Sequence, residues 1–179
     1  MVRLLVSSPS AAMRVDRARR WLAARRPDEP LLVVAASVEA ASDLVRASLA
    51  ESGAAFGWHR VTLGRLAAIL AEDTMAEQGL AVAGSLPIEA LCARVVHEIG
   101  GSGLGRFADI ADRPGLPRAL GRALAELRLA GADERLGDLA QLSRVFGEQL
   151  HQAGLADRAV VLRLAAEAAR GRSHALSGV

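Results

Sequence analysis

The 179-residue sequence predicts an α/β protein: a parallel sheet within residues 1–72, then an α-helical half over 87–179, with 73–86 as a linker. Three observations carry this. Short aliphatic runs alternate with amphipathic stretches at the start of the chain. One such run, Leu31 to Ala36, is continuous enough for a strand buried on both faces. Beyond Gly79 the apolar period stays helical to the end.

Taken in order, Val2 to Val6 reads as a strand. The loop Ser7-Ser8-Pro9-Ser10 follows, and a helix then sets Ala12, Val15, Ala18 and Leu22 on one face. Leu31 to Ala36 repeats the unit, with Ser37 capping a helix whose apolar side is Val38, Ala41, Leu44 or Val45, and Leu49. A third unit starts after the Gly53 to Gly57 turn, where Trp58 to Leu63 forms a strand and Gly64 leads into a helix over Arg65 to Glu72. Pro87 opens the helical half, and Ile88, Leu91, Cys92, Val95, Val96 and Ile99 make one continuous face. Gly100-Gly101-Ser102-Gly103 ends that helix. Two further helices are expected at Leu116 to Leu129 and Glu134 to Gln152, and a last one from Asp157.

Composition excludes several chemistries. All 22 basic residues are Arg, so the chain has no Lys for a P-loop, a Schiff base or a Ser-Lys dyad. Aromatic residues are 3% of the chain and Tyr is absent, which leaves few stacking platforms for bases or sugars. The single Cys92 rules out an internal disulfide and a zinc site built on several thiolates. His59, His97, His151 and His174 share no metal-ligand spacing, and no Gly-x-Ser-x-Gly elbow occurs. The expectation is therefore a non-catalytic chain without metal or cofactor. With no secretory signal and no apolar run of membrane-spanning length, it is also expected to be soluble and cytoplasmic.

Charge is unevenly placed. Residues 1–26 carry seven Arg against one Asp, a net +6, whereas the remainder holds fifteen Arg against nineteen acids, a net −4. Such a positive end suits an anionic partner, and Arg is the side chain best matched to phosphate. Arg17 and Arg20 on the first helix are candidate phosphate contacts. So is the Thr62, Gly64, Arg65 junction, where a hydroxyl and exposed N–H groups meet a helix start. The loop around Ser8 and Ser10 occupies the place of a phosphate-binding loop, but it has no Gly and Pro9 removes a donor. It reads as a degenerate phosphate loop, or as a plain turn in which Ser10 caps the helix.

The stretches PLLVVAASVEAASDLVRASLA and RVTLGRLAAILA, and later RFADIADRPGLPRALGRALAELRLAGA and LAQLSRVFGEQLHQAGLADRAVVLRLAAEA, resemble the N-terminal part of AddB-like proteins. These are B subunits of bacterial ATP-dependent helicase-nucleases, with relatives in the PD-(D/E)XK nuclease family. The resemblance spans roughly residues 3–170. It implies an incomplete RecA-like, P-loop-type sheet with an inserted α-helical subdomain, working in DNA double-strand-break repair and recombination. It also implies contacts to single-stranded DNA from the segments at Ser37, Val38 and Ala41 and at Thr62 to Arg65. Leu63 stands where an aromatic residue is usual, and the nuclease motif has no counterpart here. The implied partners are single-stranded or end-bearing DNA, a helicase-nuclease A-type subunit, and the remainder of a longer chain that would supply the missing strand. The alternative is a helical protein-interaction module on an α/β scaffold with no nucleic-acid role.

Overall fold

The computed structural model describes residues 4–50, 53–132 and 137–171. These residues are mostly helical and divide into two compact units between Leu66 and Ala67.

The first unit is a βαβ motif preceded by a helix. Helix α1 (Ala11–Ala23) starts at Ser10, whose hydroxyl oxygen accepts the Met13 N–H at 3.4 Å. Strand β1 (Leu31–Ala35) leads through Ser37 into α2 (Val38–Ser48), and there the Ser37 oxygen accepts the Ala40 N–H at 3.1 Å. Strand β2 (Trp58–Thr62) pairs parallel to β1, Leu31 opposite Trp58 and Ala35 opposite Thr62. A parallel pair needs a crossover, and α2 supplies it. Its face of Ala41, Leu44, Val45 and Leu49 packs with Val33, Trp58 and Leu22 of α1 into a small core.

Three expectations change in this unit. Leu4 to Val6 form no strand, and Val2 lies outside the described residues; among the described residues the sheet is two-stranded, with Leu5 92% exposed. β1 is covered on one face only: Val33 is buried, while Val34, pointing the other way along the pleat, is 43% exposed. Helix α1 buries only Leu22, leaving Ala12 and Val15 exposed, because little of the small sheet is available to receive them.

The boundary between the units falls within α3 (Leu63–Glu77), which runs five residues past the expected end at Glu72. Residues 73–86 are occupied by the end of this helix, a two-residue strand β3 (Ala81–Val82) and the start of α4 (Ser85–Ile99). Helix α4 buries Leu91, Cys92, Val95 and Val96, as its period requires, and Gly100 at φ 54° ends it. Two short 3₁₀ turns within Gly101–Ile110, separated by a kink at Gly105, and helices α5 (Leu116–Leu129) and α6 (Asp138–Gln152) surround that face. Leu104, Leu120, Leu124, Leu142, Phe146 and Leu150 complete the main core. Strand β4 (Leu155–Ala156) and helix α7 (Arg158–Gly171) follow; α7 packs Val161, Leu164 and Ala165 against Ala67, Ala71 and Met75 of α3.

Two glycines fix close approaches in this second unit. A Cβ on Gly121 of α5 would lie 3.1 Å from Ile88 Cγ2 and 3.5 Å from Cys92 Sγ, so the absence of a side chain lets α5 settle on α4. Gly154, at φ 62°, would place a Cβ 3.1 Å from the Gly79 carbonyl oxygen. That tight turn delivers β4 to β3, and the Ala81 N–H donates to the Gly154 carbonyl at 2.8 Å.

Candidate nucleic-acid interface

In the first unit the parallel register decides which candidate residues meet. Because Ala35 and Thr62 are paired partners, the chain leaves both strands at the same, carboxyl, edge of the sheet and enters a helix from each. Ser37 at the start of α2, and Thr62, Gly64 and Arg65 at the start of α3, therefore share one edge. Open α/β sheets bind ligands outside the carboxyl ends of their strands, where the N–H groups and positive dipole ends of the following helices converge.

The side chains at this edge are partly committed to local roles. Thr62 Oγ1 accepts the Arg65 N–H at 3.2 Å, closing the first turn of α3 while its own hydroxyl hydrogen is still available to donate. Glu39 sits in the first turn of α2, and its carboxyl is held below the usual carboxylate range by its own backbone N–H and by the Ser37 hydroxyl. This places one negative charge beside the α2 terminus. Arg65 is exposed. Val34, Val38 and Leu63, each between 43% and 53% exposed, add an apolar rim.

The basic segment of α1 is less open than its count suggests. Asp16 receives both Arg19 and Arg20; the hydrogen bond from Arg20, then that from Arg19, lowers its pKa. Arg25 stacks 4.4 Å from the Trp21 ring centroid, and Arg26 pairs with Asp28 at 2.6 Å. Arg17 is exposed and has no ion-pair partner among the described residues. Of the two expected contacts on this helix, Arg17 is open to solvent and Arg20 is tied to a neighbour.

The loop before α1 is a local turn. The Ser8 oxygen accepts the Ser10 N–H at 3.2 Å, the Ser10 oxygen caps Met13, and Arg14 donates to the Ser8 carbonyl. Both hydroxyl oxygens thus face the chain's own backbone donors. No strand among the described residues delivers this loop to a sheet edge, which is what a phosphate loop requires.

Cys92 is fully buried in the second unit, and burial, with a smaller push from Glu89, raises its thiol pKa to about 12. Among the described residues no three His, Cys, Asp or Glu side chains gather as a metal site needs, and no helix is long and apolar enough to cross a membrane. The second unit also holds a cavity of about 610 Å³, lined from α4, α5, Phe146 and the start of α7. The sequence signals it only weakly, as Arg118 and Arg122 one turn apart on the polar side of α5. No protein-family model matches the chain, and no curated protein is significantly similar to it.

Proposed function

We propose that the chain is a non-catalytic DNA-binding segment of a helicase-nuclease B-type subunit, in which a reduced RecA-like sheet tracks the phosphate backbone while catalysis lies elsewhere. The observation that carries the reading is the shared carboxyl edge of β1 and β2, with Ser37 on one side and Thr62 to Arg65 on the other. Two helix starts, a hydroxyl donor and an exposed guanidinium at one edge make a surface for a phosphodiester, and Arg17 adds a further cation to the same unit. With few aromatic side chains to stack on bases, recognition rests on charge and carries little sequence preference.

Fluorescence anisotropy with labelled single-stranded DNA across a salt series tests this. Binding should weaken steeply with salt, and Arg17→Gln with Arg65→Gln should reduce the salt slope by about one to two ion equivalents for any sequence. Unchanged binding by this double variant at low salt refutes the assignment.

The exposed Val34, Val38 and Leu63 favour a second reading, docking of a partner protein at the same edge. Leu63→Ser separates the two: it weakens protein docking and leaves the salt slope on DNA intact.

A further inference from the structure

The cavity in the second unit is built from parts that specify a ligand. Its walls are the first turn of α4 and one face of α5, and it is bordered by Asp157 and Arg158 where α7 begins, leaving a mouth open to solvent. Ile88, Gly121, Ala125 and Phe146 give it an apolar floor. At about 610 Å³ it lies within the roughly 300–1,000 Å³ usual for small-molecule sites.

Charge around the rim is not balanced. Arg118 is committed to Glu89, with Nε to Oε2 at 3.1 Å and Nη2 to Oε1 at 3.5 Å. Asp157 is committed twice: Arg128 Nε donates to its Oδ2 at 2.7 Å, and the Val160 N–H donates to its Oδ1 at 2.9 Å. Both acids of the lining are thereby neutralised. Arg122 and Arg158 line the cavity without a carboxylate partner among the described residues. Helix α4 adds to the positive potential, since Gly84 provides no side-chain cap and the first N–H groups of the helix lack a side-chain acceptor there.

We propose that this cavity binds a small amphipathic anion, its apolar body on Ile88, Ala125 and Phe146 and its single carboxylate or phosphate head between Arg122 and Arg158. A bare inorganic anion would leave the apolar floor wet. A neutral apolar ligand would gain nothing from either guanidinium, and a cation would be repelled. The site lies wholly within the second unit and does not depend on the DNA reading of the first.

Isothermal titration calorimetry on the full chain tests it with four ligands that share one tail: octanoate, octyl phosphate, 1-octanol and octyltrimethylammonium. Either anion should bind at least about tenfold more tightly than the alcohol, and the ammonium should not bind. Whichever anion binds more tightly names the head group. Arg122→Glu with Arg158→Glu should cost the anions at least about tenfold and leave the alcohol unchanged. Ala125→Trp, which fills the cavity from an exposed position on α5, should abolish binding of all ligands. Should the charge reversal lower helical content, Arg122→Gln with Arg158→Gln replaces it and should give the same order of ligands. Equal affinity for alcohol and anions, undiminished anion binding in either Arg double variant, tight binding to the Trp variant, or no binding by either anion each overturns the proposal.

Discussion

Replacing Asp157 by Ala should be the most damaging single polar substitution in the second unit. The carboxylate is 8% exposed and its partner Arg128 15% exposed, so the pair is nearly out of water. Two interactions end together. The cap on the Val160 N–H, at 2.9 Å, contributes about 1 kcal/mol. Removing the counter-ion also strands the Arg128 guanidinium beside Phe146, and breaking a buried pair in this way costs roughly 3–5 kcal/mol. The remaining exposure of Arg128 places the sum near the lower bound, about 4 kcal/mol. For a chain of this length that lowers Tm by about 10 °C. Urea unfolding at neutral pH, followed by far-UV circular dichroism, measures it.

Asp157→Asn keeps the cap and an oxygen for Arg128, and should cost about half as much. Arg128→Met with Asp157→Ser restores the cap and removes the stranded charge, so the double variant should be more stable than Asp157→Ala alone. A cost below about 1 kcal/mol for Asp157→Ala would refute the argument, because it would mean that the pair is solvated. So would a double-mutant cycle without coupling.

Gly121→Val should destabilise by about 1–3 kcal/mol in the same assay, since its side chain enters space held by Ile88 and Cys92. Cys92 should resist alkylation by iodoacetamide in the native state at pH 8 and react once urea unfolds the chain. Its pKa is raised by folding from 9.0 to about 12, so its contribution is fully present below pH 9 and is lost as the pH climbs from there to about 12; Cys92→Ala should flatten that part of the stability profile. Ser37→Ala should cost about 1 kcal/mol through loss of the bond to Ala40 N–H, read as a lower urea midpoint. Asp16→Asn releases Arg19 and Arg20 and should strengthen single-stranded DNA binding several-fold at low salt, with a steeper salt slope, by fluorescence anisotropy.

Local signals fixed most of the helices. The Ile88 to Ile99 series buries as its spacing demands, Leu116–Leu129 has the bounds its leucines imply, and Ser10, Ser37 and Thr62 each bond the backbone three residues on. The parallel pairing of β1 and β2 was also legible, because a crossover helix between two aliphatic runs admits little else. The meeting of Ser37 with the Thr62 to Arg65 junction at one edge follows from that pairing.

Features set by distant partners were not legible. Val2 to Val6 is as aliphatic as a strand, but a strand needs a neighbour to bond, and Leu4 to Val6 have none among the described residues. Conversely, Ala81–Val82 carries no strand signal and becomes one only because the Gly154 turn brings Leu155–Ala156 beside it. The Asp16–Arg20 pair, by contrast, joins residues four apart on α1 and follows from helical spacing alone. The buried Arg128–Asp157 pair joins residues 29 apart, and the cavity takes its lining from four helices. Helical period, caps and ion pairs one turn apart are written within one or two turns, and the residues alone specify them. Strand partnership, the long-range Arg118–Glu89 and Arg128–Asp157 pairs and the cavity depend on contacts between segments far apart along the chain, which no local pattern encodes.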